Sequence, residues 1–107
     1  MSFDVIAIKN FSREAKRLVK KYPSLKKELA ELFDSLENNP SQGKSIGNDC
    51  YKIRLSIASK GKGKSGGARV ITHLFVKGNI VFVLSIYDKS EQLDITDAEV
   101  LELLKDI

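Results

Sequence analysis

The run Cys50-Tyr51-Lys52-Ile53-Arg54-Leu55-Ser56-Ile57 constrains this chain more than any other stretch. Its apolar and polar residues alternate cleanly, and strand side chains point to opposite faces with a period of two. Tyr51, Ile53, Leu55 and Ile57 therefore share one face, while Cys50, Lys52, Arg54 and Ser56 share the other. The first face belongs in a core and the second presents cations. A chain carrying such a strand must build a sheet that is packed on one side and basic on the other.

The flanking segments supply the rest of that sheet and its cover. Phe3 to Ile8 is short, apolar and β-branched, which predicts a first strand broken by Asn10. Ser12 is placed to cap a helix in which Phe11, Ala15, Leu18, Val19 and Tyr22 recur at helical spacing, and Pro23 stops it. Ser24 starts a second helix with Leu25, Leu29, Leu32, Phe33 and Leu36 as its stripe, ended by Asn38-Asn39-Pro40. So short a connection predicts an antiparallel helical hairpin.

Ser41 to Asp49 reads as a polar connection, and Ser59 to Gly67 as a basic loop. Ala68 to Val76 resumes strand character, Lys77-Gly78-Asn79 signals a tight turn, and Ile80 to Tyr87 is continuously apolar, as a central strand would be. Thr96-Asp97-Ala98-Glu99 has the capping-box pattern, with Val100, Leu101, Leu103, Leu104 and Ile107 as the inner side of a closing helix. The order β-α-α-β-β-β-α predicts an α+β fold: an N-terminal strand and helical hairpin, then an antiparallel sheet and a C-terminal helix. A chain of 107 residues has room for one core, so residues 1–107 are read as a single domain.

Charge is segregated along this domain. Residues 44–87 hold eight basic side chains against the single acid Asp49, whereas residues 88–107 hold Lys89 and Lys105 against seven acids. A middle segment with a net charge of +7 attracts phosphates and makes nucleic-acid binding salt-dependent. Cys50 is the only cysteine, so an intramolecular disulfide is excluded and a reducing compartment fits. Asp4 stands where a signal peptide needs positive charge, and no apolar run approaches the ~20 residues of a membrane span; a cytoplasmic location is expected.

The motifs narrow the chemistry. Ala58 to Ser65, ASKGKGKS, satisfies a loose phosphate-loop pattern, but such a loop must open a helix, and strand-like Ala68-Arg69-Val70-Ile71 follows. Nucleotide hydrolysis is rejected on that ground. Cys50 and His73 are the only soft or imidazole ligands, too few for structural zinc, and no metal or other cofactor is expected. His73 lies among apolar strand neighbours and reads as structural. There remain Lys52 and Arg54 at i and i+2, Arg69 opening the next strand and Lys89 following the last. Either antiparallel pairing gathers them into one groove that fits a phosphodiester, or they are unrelated surface charges.

Three segments together resemble the RelE/ParE superfamily of bacterial toxin–antitoxin modules over nearly the whole chain: Asn48 to Leu55, Gly66 to Ile71, and Val83 to Glu91. The loop GKGKSGGARV is similar to that of the HigB-like branch. The resemblance implies a microbial-ribonuclease-like fold and an endoribonuclease toxin that cleaves messenger RNA in the ribosomal A site. It also implies a cognate antitoxin as partner and operator DNA bound by the complex. By position, Lys52, Arg54, Arg69 and Lys89 match the basic residues of the catalytic sheet, and Ile95 stands where the family carries a tyrosine.

On this reading Lys52 transfers a proton, provided neighbouring cations depress its pKa. Arg54, Arg69 and Lys89 stabilise the phosphorane formed when a ribose 2′-hydroxyl attacks the adjacent phosphate. Tyr87 stacks on a base or replaces the missing tyrosine in proton transfer, and Lys60, Lys62 and Lys64 hold the RNA backbone. Two other readings stay open: a ParE-like inhibitor of DNA gyrase that cleaves nothing, and an inactive scaffold that binds an antitoxin.

Overall fold

The computed structural model describes residues 2–61 and 66–107. In chain order they form β1 (Asp4–Ala7), α1 (Lys9–Lys21), α2 (Leu25–Asn38), β2 (Lys44–Gly47), β3 (Cys50–Leu55), β4 (Ala68–Phe75), β5 (Ile80–Asp88) and α3 (Asp97–Leu104). The strands make one sheet in the order β1-β5-β4-β3-β2. The pairs β2/β3, β3/β4 and β4/β5 are antiparallel, and β1 joins the edge parallel to β5. β5 thus has a partner on each side, and Val81 and the run from Val83 to Asp88 are buried, as its apolar sequence requires.

The helices form where their apolar spacing demands. Phe11, Ala15 and Leu18 bury one stripe of α1, and Leu25, Leu29, Leu32 and Leu36 bury one stripe of α2. Phe11, near the start of α1, meets Phe33, near the end of α2, with ring centroids 5.7 Å apart, as an antiparallel pair requires. Helix α1 ends because Pro23 excludes the α conformation from the residue before it; Tyr22 is extended at φ −125° and ψ 96°. Ser12 is not the cap: the helix begins at Lys9, and the Ser12 amide already donates to the Ile8 carbonyl.

Ser24 precedes α2 without capping its backbone. Its hydroxyl instead accepts from the Ser59 amide at 2.9 Å, and Glu28 accepts from the Ala58 amide at 2.7 Å. The start of α2 therefore holds the one-turn helix Ala58–Lys60 that follows β3.

Strand β2 lies inside the segment expected to be a connection. Asn48 and Asp49 have φ of 56° and 57°, the left-handed pair that a two-residue hairpin turn needs, and they fold Lys44–Gly47 back onto β3. Its four residues carry no clean alternation and its register shifts between Ser45 and Gly47, so periodicity could not reveal it.

The Asp88 side chain reaches the Tyr22 hydroxyl at 2.6 Å, so Asp88 faces the helical hairpin. Its register partner Ala68, and with alternation Val70, Ile53 and Ile86, face the same way and are buried. Full burial of a Leu, Ile or Val side chain stabilises by about 1.5–3 kcal/mol, and this layer is built almost wholly of them. Helix α3 begins with the expected capping box, the Glu99 amide donating to Thr96 Oγ1 at 3.1 Å and the Thr96 amide to Glu99 Oε1 at 3.1 Å. Val100 is buried, but Leu101 and Ile107 are exposed. Leu101 is about 100° around the helix from Val100, and Ile107 lies beyond the last turn.

Candidate functional site

The face of β3 opposite the helical hairpin is the basic one. Arg54 is paired with Arg69 on β4, and Arg69 with Tyr87 on β5, so the three side chains form one row. Lys52, two residues from Arg54, has Ile71 as its partner on β4 and Lys44 on β2. Lys89 continues the alternation of β5 two residues past Tyr87, and its amide donates to the Gly67 carbonyl at 3.0 Å. Directly opposed residues have Cα atoms about 4.5–5.5 Å apart. Lys44, Lys52, Arg54, Arg69 and Lys89 consequently line a single cleft of about 510 Å³. At its margin Gly43 has φ +98°, and a Cβ there would lie 2.7 Å from the Lys52 carbonyl oxygen, so a side chain would strain the wall.

Two of these cations are engaged by the segment that joins β5 to α3. Lys52 Nζ donates to Asp94 Oδ1 at 2.9 Å, and Lys89 Nζ donates to the Leu93 carbonyl at 2.7 Å. The hydrogen bond from Lys52, assisted by the Ile95 amide, holds the Asp94 carboxyl below its usual pKa. Arg69 is 5% exposed and donates to the Ala68 carbonyl at 3.1 Å among its contacts, which fixes its guanidinium at the floor. Tyr87 is buried beside it, its hydroxyl 3.4 Å from Asp94 Oδ1. Burial, then the Asp94 charge, pushes the Tyr87 phenol up to about 12, against the opposing pull of Arg69.

Lys60 lies elsewhere. Its ammonium is bound to Asp88 and, at 3.0 Å, to Ser90 Oγ; its side chain is 8% exposed and sits on the helical side of the sheet. The buried Asp88 and the Tyr22 ring, whose centroid is 5.6 Å from the ammonium, draw this lysine inward, and a basic loop sequence announces neither. Lys62 and Lys64 lie outside the described residues. His73 faces Cys50, with Nδ1 3.5 Å from Sγ, and packs against Phe82. Burial, then Asp49, pushes the Cys50 thiol up to about 11, which suits a packed thiol rather than a nucleophile.

Lys44 and Asp94 belong to this site and were not among the expected residues. The turn pair Asn48-Asp49, which ends three residues before an alternating strand's first cation, would have signalled a hairpin and with it Lys44 opposite Lys52. Asp94 sits in an acidic stretch with no local pattern that distinguishes it.

A family model described as the RelE toxin of the RelE/RelB toxin–antitoxin system matches residues 5–106. The chain belongs to the RelE toxin family. Solved relatives share the fold at low identity. An arginine-to-alanine double mutant of E. coli toxin RelE in the free state is 20% identical with a TM-score of 0.61, covering 99% of this chain and 94% of that one. The isolated E. coli RelE toxin is 18% identical with a TM-score of 0.58, covering 98% and 99%. A chain of the intact E. coli RelBE toxin–antitoxin complex is 24% identical with a TM-score of 0.50, covering 80% and 95%.

In this RelE-family chain the cleft concentrates positive charge from three strands and the residue after β5, with the Tyr87 phenol alongside. Among the described residues no group of three or more His, Cys, Asp and Glu side chains is placed to hold a metal ion. No helix among them is long and apolar enough to cross a membrane.

Proposed function

We propose that this chain is the toxin of a toxin–antitoxin pair and acts as a ribosome-dependent endoribonuclease, cleaving messenger RNA in the ribosomal A site. The observation that carries the reading is the convergence of Lys44, Lys52, Arg54, Arg69 and Lys89 from neighbouring strands on one cleft. Attack of a 2′-hydroxyl on the adjacent phosphate builds negative charge on the phosphorane oxygens and on the departing 5′-oxygen. Arg54, Arg69 and Lys89 stabilise that charge as it develops, because cations already fixed in place need no reorganisation. Lys44 extends the same field along the strand.

Lys52, which lines the cleft, is the residue assigned to receive the 2′-hydroxyl proton. Tyr87 returns a proton to the 5′-oxygen; its phenol carries its proton at neutral pH and stands in the same row as Arg54 and Arg69. Tyr87 thereby fills the role of the tyrosine that Ile95 replaces. The ribosome supplies the orientation of the message that so open a cleft does not. Lys62 and Lys64 are assigned to hold the RNA backbone, whereas Lys60 is bound to Asp88 and Ser90. The partner is a cognate antitoxin, a reading supported by the likeness to a chain of the E. coli RelBE toxin–antitoxin complex.

The test is induction of the protein alone, with transcript ends mapped against ribosome-occupied codons and with DNA damage scored, for wild type, Arg69→Ala and the exposed-site variant Arg54→Gln. Cleavage within ribosome-bound codons that disappears in both variants is the expected result. DNA damage that persists in the variants would replace this reading with gyrase inhibition, and absence of toxicity would leave an antitoxin-binding scaffold.

A further inference from the structure

The segment between β5 and α3 lies against the cleft through polar contacts made by the same cations that the proposed reaction employs. Asp94 Oδ1 accepts from Lys52 Nζ at 2.9 Å, from the Tyr87 hydroxyl at 3.4 Å and from the Ile95 amide at 2.8 Å, and the adjacent Leu93 carbonyl accepts from Lys89 at 2.7 Å. Three of the residues assigned to RNA chemistry are thus engaged by two consecutive residues of the protein itself.

We propose that Asp94 is an internal competitor for the substrate phosphate: its carboxylate holds Lys52 and Tyr87 in the free toxin, and an RNA phosphodiester takes its place. The inference rests on the reading of the cleft as the RNA site.

The chemistry of the exchange is like for like. A carboxylate and a phosphate both offer anionic oxygens to an ammonium and a hydroxyl at hydrogen-bond distance. The Asp94 side chain is 63% exposed and Leu93 is 78% exposed, so these two residues are held to the cleft by polar contacts, while the next residue, Ile95, is partly buried against the core. Its ends are held independently, by the Thr96/Glu99 capping box on one side and by the Glu91 and Gln92 amides on the Asp88 carbonyl on the other. Displacement therefore requires only the middle of the segment to lift. Release of Asp94 and Leu93 together would free Lys52, Lys89 and the Tyr87 hydroxyl in one movement.

An exposed ion pair carries a modest weight, so removing the competitor should tighten RNA binding by about three- to fivefold. The probe is a short fluorescein-labelled 2′-O-methyl oligoribonucleotide, which lacks the attacking hydroxyl and cannot be cleaved. Its affinity is read by anisotropy at low salt for wild type, Asp94→Asn, Asp97→Asn and Arg54→Gln. Asp97 is an exposed acid three residues on and serves as the control for a change in net charge.

Tighter binding by Asp94→Asn than by Asp97→Asn is expected, and equal effects in the two would reduce Asp94 to background charge and overturn the proposal. Unchanged binding by Arg54→Gln would show that RNA does not use the cleft, which removes the parent reading and this inference with it. A second measurement is independent of any variant: inorganic phosphate titrated into the wild-type protein should shift the Ile95 amide resonance as Asp94 leaves. An Ile95 amide that stays put while the cleft's arginine resonances move would also overturn the proposal.

Discussion

Arg54 and Arg69 stand directly opposite one another on β3 and β4, two guanidinium-bearing residues in one cross-strand pair. Like charges so placed repel, and the pair sits in the middle of a face that also carries Lys44, Lys52 and Lys89. Packing gains nothing from this arrangement, since Arg54 is exposed. Replacing Arg54 by Gln should therefore leave the thermal midpoint unchanged or slightly raised, while transcript cleavage falls by roughly 100-fold through loss of one charge stabiliser. A variant that loses stability and activity together would indicate a structural arginine instead.

Tyr87→Phe keeps the buried ring and removes only the hydroxyl. Cleavage should fall by roughly 100-fold while binding of an uncleavable RNA changes little, as expected for loss of a proton donor. The phenol's folded pKa of about 12 lies above its ordinary 10, so the folded state favours the neutral phenol. Its contribution to stability is complete below pH 10 and is lost as the pH rises from 10 to 12. Alkaline melting curves should consequently show a steeper decline for wild type than for Tyr87→Phe over that interval.

Asp88 behaves oppositely. Burial alone would raise its pKa, but hydrogen bonds from Lys60, Tyr22 and Ser90 outweigh burial and hold the carboxyl far below its ordinary 3.8. The ionised form is therefore favoured by folding, and its stabilisation is present above pH 3.8 and disappears as the pH falls below it. Lys60→Ala strands a buried carboxylate and should cost about 3 kcal/mol in urea unfolding at pH 7. The difference between wild type and this variant should shrink on acidification; a constant difference would show that Asp88 is not the group responsible.

Thr72 is fully buried, and its Oγ1 has no hydrogen-bond partner among the described residues. Thr72→Val keeps the shape and removes an unpaired hydroxyl, so it should stabilise by about 1 kcal/mol without affecting cleavage. Chemical denaturation with an unchanged slope would verify it.

Much of this protein was legible before folding because its patterns are local. The period-two alternation of Cys50 to Ile57 assigned Ile53 to the core and Lys52 and Arg54 to the opposite face, and the spacing of Leu25, Leu29, Leu32 and Leu36 defined the buried stripe of α2. Pro23 ended α1 through a steric rule that acts on its neighbour. Lys44 was not legible from periodicity, because β2 is a four-residue edge strand without clean alternation, and its one sequence signal is the turn pair Asn48-Asp49. Lys60 could not be assigned from a loop rich in lysine and glycine, because its partner Asp88 is 28 residues away.

By itself, then, the chain's order of residues determined which side chains share a face of an element, since helix and strand periodicities are properties of the backbone. It also determined that the middle of the molecule would be basic. Only the tertiary structure decided that Arg54, Arg69 and Lys89 meet in one cleft, that Lys60 turns inward and that Asp94 closes on Lys52. Those relationships depend on register between distant strands, which is set by the packing of the whole sheet and not by any short stretch of sequence.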